Sequence, residues 1–172
     1  MKRARRRHGS EPALRGRAAK APADEARVEA LTVAMALAPG VYARNRMFDL
    51  FANSGVQRAK SRAATLRGIV KHLGRACALT LERDGSEGAA ARDANGQVAF
   101  VLRYEIPLMN LTRVVDLSRV ELAALRLLAA RAGASTLLPD DEDRALVETA
   151  LTRLLVAGGE TGDLARAAQN VT

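Results

Sequence analysis

The sequence points to a helix-rich α+β fold, a single domain in which a small antiparallel sheet (a hairpin or meander) is flanked by N- and C-terminal helices. Three observations carry this. Apolar residues recur at helical spacing through residues 24–73, the period switches to two across 77–106, and helical spacing with strong capping signals returns from 118 onward.

Residues 1–22 come first. They lack apolar periodicity and contain Gly9, Pro12, Gly16 and Pro22. Such a segment buries too little surface to offset its ordering entropy, so a disordered basic arm is expected there. That leaves 23–172 as one globular domain, which suits a chain of 172 residues.

From Asp24 to about Ala38 a short helix is expected. Asp24 and Glu25 suit its positive end, Val28, Leu31 and Met35 share a face, and Pro39-Gly40 stops it. A second short helix is expected over 42–52, with Met47, Phe48, Leu50 and Phe51 turned inward. After Asn53-Ser54-Gly55 comes the clearest pattern in the chain. Val56, Ala59, Ala63, Leu66, Val70 and Leu73 advance by alternating steps of three and four, a heptad seam of bundle length over 56–74.

Cys77, Leu79 and Leu81 then alternate with polar or small residues, as do Val98, Phe100, Leu102, Tyr104 and Ile106. These are two strands joined by a long loop over 84–96, with Pro107 closing the second and a short third strand at 112–115. Ser118-Arg-Val-Glu121 is a capping box, and Leu117 and Leu122 stand at hydrophobic-staple positions. The helix it opens should run to about Ala132 and end at Gly133. Asp140 begins another, ending at Gly158-Gly159, and 160–172 is expected to form one frayed turn.

The composition limits the core. There are 35 alanines, aromatic residues make up 3%, and tryptophan is absent, so Leu, Val and Ile must carry the packing. The helix 119–132 bears Val120, Leu122, Leu125, Leu127 and Leu128 on more than one face. A monomer of this size would struggle to bury them all, so a homodimer is expected, formed through that helix or through the strand 97–106.

Charge is unevenly placed. The net charge of +8 divides into +7 over residues 1–22, +5 over 23–78 and −4 over 79–172. A basic front suits a polyanion, or an acidic protein. On the helix 56–74, Lys60, Arg67, Lys71 and Arg75 follow at steps of seven, four and four, forming a stripe beside the apolar seam that could track phosphates. Arg58 and Arg62 lie on the other flank. Arg3, Arg5, Arg6 and Arg7 of the arm could add contacts. The plainer reading of the stripe is a solvated face whose long side chains shield the seam. With so few aromatics there is no stacking platform for single strands, so double-stranded DNA is the better match.

Catalytic and metal chemistry find no footing. Asp140, Asp141, Glu142 and Asp143 lack the alternating spacing and glycine of a calcium loop, and a helix cap explains them. His72 has no second histidine or cysteine at ligand spacing and reads as solvated helix surface; Cys77 reads as a small core residue. Asp84-Gly-Ser-Glu-Gly88 lacks the Gly-Lys-Ser/Thr of a phosphate loop. No cofactor or metal is called for. The two C-terminal helices have a helix-turn-helix outline, but the second opens on four acidic residues that would repel phosphate. No apolar stretch reaches the ~20 residues of a membrane span. Asp24, Glu25 and Glu29 before the run 30–38 argue against a secretory signal, and the lone cysteine against a disulfide framework, so a cytoplasmic location is expected. The expectation is therefore a non-enzymatic accessory protein that touches the DNA backbone, with a protein-interaction adaptor or self-assembling module as the alternative.

Overall fold

Between Val28 and Ala38 only Glu29 and Thr32 are polar, and a helix so apolar on every side has no solvent face to offer. The computed structural model, which describes residues 22–40, 54–73, 78–83, 100–134 and 136–172, puts that segment at the centre of the molecule. Helix α1 (Pro22–Leu37) begins with proline in its first turn, where a missing N–H costs nothing. Every residue from Ala30 to Ala38 is buried, not only the face of Val28, Leu31 and Met35. Buried Thr32 satisfies its hydroxyl by donating to the Val28 carbonyl at 2.8 Å.

Helix α2 (Ser54–Leu73) packs along α1. Arg58 meets Glu25 at one end and Arg67 meets the Met35 carbonyl at the other, so the two helices run in the same direction. The link between them, where a second short helix is expected, lies outside the described residues. The buried line on α2 runs Gly55, Ala59, Ala63, Leu66, Ile69. It departs from the heptad seam at both ends, where Gly55 and Ile69 are buried and Val56 and Val70 only half-buried.

The sheet is a three-stranded antiparallel meander, β1 (Ala78–Arg83), β2 (Phe100–Ile106) and β3 (Leu111–Leu117), with β2 in the middle. The period of two is visible in β2: Leu102, Tyr104 and Ile106 are buried, Arg103 and Glu105 exposed. Cross-strand partners Leu79, Tyr104 and Arg113, and likewise Leu81, Leu102 and Val115, share one face. Pro107 both ends β2 and opens a single 3-10 turn (Pro107–Met109), after which Asn110 takes the left-handed conformation at φ 48°. β3 is longer than the expected 112–115. The long loop between β1 and β2, with Val98 and Cys77, lies outside the described residues.

Helix α3 (Arg119–Arg131) starts at the expected capping box. The Ser118 hydroxyl accepts from the Glu121 N–H at 3.2 Å, and the Glu121 carboxylate accepts from the Ser118 N–H at 3.0 Å. Staple residues Leu117 and Leu122 are both buried. Helix α4 (Asp141–Ala157) is capped by the same device, Asp140 accepting from the Asp143 N–H at 2.7 Å and Asp143 returning the bond at 3.1 Å. Two glycines with positive φ, Gly158 (76°) and Gly159 (67°), then reverse the chain.

The C-terminal segment is not a frayed turn. Gly159–Gln169 forms helix α5, which folds back on α4 and buries Gly162, Leu164, Ala165 and Ala168. Around α1 the helices α2, α3, α4 and α5 close a single core. Among the described residues there are thus five helices and one small sheet, a helix-rich α+β fold. None of these helices is long and apolar enough to cross a membrane.

Candidate nucleic-acid interface

A cation that tracks phosphates must be exposed and not already engaged. On α2 that condition divides the basic residues. Lys71 is exposed, Lys60 is half-buried, and Arg75 lies outside the described residues, as do Arg3, Arg5, Arg6 and Arg7. Arg67 is half-buried, and its Nη1 donates to the Met35 carbonyl at 2.7 Å. This is one of the carbonyls that a helix leaves unpaired in its last turn, so Arg67 caps the C-terminus of the central helix. Arg131, the last residue of α3, does the same for the Leu37 carbonyl at 3.3 Å and also donates to the Val171 carbonyl. Burial lowers the pKa of both arginines from the ordinary guanidinium value, and they stay cationic at neutral pH because that value is so high.

The other flank of α2 faces carboxylates. Arg58 pairs with Glu25 at 2.6 Å, a contact with both side chains well exposed. Arg62 makes a two-point contact with Glu121, Nε to Oε1 at 2.8 Å and Nη2 to Oε2, and Nη2 also reaches the Asp116 carbonyl. The hydrogen bond to Glu121 raises the Arg62 pKa, outweighing the opposing effect of burial. Glu121 is 6% exposed and serves twice, as helix cap and as counter-ion. The stripe and its flank are therefore joined to the fold at Arg58, Arg62 and Arg67, through contacts 32 to 59 residues away in sequence. The periodicity of α2 alone gave no sign of those partners.

The acidic run at 140–143 is tied to the fold through Arg119 and Arg126. Asp143 is buried and accepts from Arg126 at 3.0 Å, and Glu142 pairs with Arg119. Among the described residues no group of three His, Cys, Asp or Glu side chains is placed to hold a metal ion. His72 is not solvated surface: it is half-buried and stacked on Tyr104 of β2, ring centroids 5.8 Å apart at 23°, so that the end of α2 is fastened to the sheet. Its Nδ1 is buried without a hydrogen-bond partner among the described residues.

One concave surface went unforeseen. At the N-terminal end of α1 and the C-terminal end of α4, Ala26, Arg27, Arg153, Leu154 and Ala157 line an open, mostly apolar cavity of about 340 Å³. Of its lining residues Leu154 is buried, and Arg27 and Arg153 stand exposed, one on each helix. No sequence signal marks it, because its two groups of residues, on α1 and α4, are separated by 126 positions at their nearest (27 to 153).

Much of the surface expected for dimerisation is engaged within one chain, with Leu128 only half-buried. Val120, Leu122, Leu125 and Leu127 are buried in the monomer's own core, and β2 is hydrogen-bonded on both edges. The small neighbouring residues Ala123, Ala124 and Ala129 let α3 be enclosed on several sides, which the helix's leucine content alone did not suggest. Comparisons with protein-family models, with curated proteins and with solved structures find no match for this chain.

Proposed function

We propose that this protein is a non-enzymatic accessory protein that binds the backbone of double-stranded DNA, led by its basic N-terminal residues and not by α2. The observation that supports this reading is the division of positive charge. Residues 1–22 carry +7, whereas Arg58, Arg62 and Arg67 of α2 already have partners inside the fold. Eight basic groups precede α1, and if a third to a half of them engage phosphates, the log–log salt slope is on the order of −3. A cytoplasmic location goes with the proposal, in keeping with a single cysteine. Dimerisation through α3 or β2 is not part of it.

The test is fluorescence anisotropy with a duplex oligonucleotide at three salt concentrations. Removal of residues 1–21 is expected to abolish most of the affinity and flatten the slope, while Lys71→Ala changes the slope by one unit or less. Binding that survives loss of the N-terminal segment, or that ignores salt, overturns the proposal. A second reading, a protein-interaction adaptor, is favoured by one observation: the apolar cavity between α1 and α4, walled by two exposed arginines.

A further inference from the structure

Arginine side chains in this fold are mostly engaged. Arg58, Arg62, Arg119, Arg126 and Arg166 pair with carboxylates, and Arg67 and Arg131 cap α1. Arg27 and Arg153, like Arg103, Arg113 and Arg144, have neither kind of partner among the described residues, and of these they are the two that line the cavity. Val156, one position before the cavity residue Ala157, is an apolar side chain 83% exposed. Such a surface asks for an occupant that is apolar in the middle and anionic on both sides. A nucleic-acid backbone meets the second demand but leaves the floor of Ala26, Leu154 and Ala157 uncovered. A single carboxylate at the end of an acyl chain would meet one wall and leave the other cation unmatched.

The geometry points to an acidic amphipathic helix from another protein as the occupant, laid between α1 and α4 with one or two large apolar side chains in the cavity and carboxylates against Arg27 and Arg153. The inference rests on the adaptor reading and gives the partner its chemistry. The recognition mode is a helix in a groove, in which apolar anchors spaced at i, i+3/i+4 and i+7 supply affinity and flanking charge supplies orientation. The cavity volume sits at the small end of ligand sites, the scale of side chains and not of a bulky cofactor.

The test uses the full chain and a fluorescein-labelled helical peptide with leucines on one face and glutamates elsewhere. Two controls accompany it, one with leucines replaced by serine and one with glutamates replaced by glutamine. Salt of about 0.3 M shortens the screening length and suppresses loose attraction to the N-terminal charge. The leucine–glutamate peptide is expected to bind, with amide shifts in NMR spectra centred on Ala26, Leu154 and Ala157. Arg27→Glu with Arg153→Glu should weaken it at least tenfold, and Ala157→Leu, which fills the cavity from an exposed position, at least fivefold. The paired Arg→Lys changes should preserve most of the binding, which keeps the test valid if the charge reversals disturb folding. Equal binding of the glutamine peptide overturns the acidic partner but leaves the adaptor reading standing. Shifts that avoid the cavity, or equal binding of the serine peptide, overturn both. So does a concentration-dependent shift of the same amides without peptide, which would assign the cavity to a second copy of the chain.

Discussion

Arg62 and Arg67 lie on one helix, five positions apart, and a substitution at each should read out differently. Arg62 faces the buried carboxylate of Glu121, so Arg62→Ala would leave that charge without a counter-ion, at a cost of about 2–3 kcal/mol measured by urea unfolding. Arg58→Ala, at an exposed pair, should cost less than about 1 kcal/mol. The raised pKa of Arg62 has a definite sign: its contribution is fully present below the unfolded guanidinium pKa and is lost only as pH rises through the still higher folded value. Stability between about pH 6 and 9 should therefore be insensitive to this arginine's titration. Arg67→Ala removes a cap from the central helix and should lower stability by about 1–2 kcal/mol, while the DNA salt slope stays where it was. A fall in the slope without loss of stability would return Arg67 to the DNA contact. His72, stacked on Tyr104, illustrates the same point from the other side: a polar residue off the seam can still be a packing residue when the next element folds over it.

Elements were legible in the sequence in proportion to the strength of their local signals. The capping box at Ser118 and the acidic opening at Asp140 located α3 and α4 to within a residue or two, because caps act over three positions and need no knowledge of the fold. Ser118→Ala should accordingly cost about 1 kcal/mol, readable as a drop in the thermal midpoint. α5 was illegible because its buried face is Gly162, Leu164, Ala165 and Ala168, with a single large side chain. Small residues carry little hydropathy, yet they let a helix approach α4 and α1 closely, and that gain exists only in the assembled core. Leu164→Ala should thus cost about 2–4 kcal/mol despite its place near the chain's end. The equally apolar Leu108, 91% exposed on the turn between β2 and β3, should be replaceable by Ala at less than about 0.5 kcal/mol. For a related reason leucines on several faces of α3 read as surplus until the four other elements that surround them are in place. The candidate site was legible only as charge: the sequence located the basic residues, but their partners come from distant segments, and the cavity between α1 and α4 has no local signature at all.

At the scale of the molecule, everything turns on α1. Four helices cover it, and two arginines from different helices close its C-terminal end. Truncation after Ala157 removes α5 and opens one side of that core. The shortened chain is expected to unfold or to bind hydrophobic dyes strongly, and a cooperative thermal transition like that of the full chain would contradict the account. The order of synthesis adds a hazard that the folded state conceals. The apolar segment 30–38 leaves the ribosome well before Leu151, Leu154 and Leu164, which complete the core and follow more than a hundred residues later. At 5–20 residues per second the segment waits on the order of 6–25 s before its cover is complete. During that interval it is a binding motif for holdase chaperones and a nucleus for aggregation between nascent chains, so the helix that organises the finished protein is also the part of it that most needs escorting.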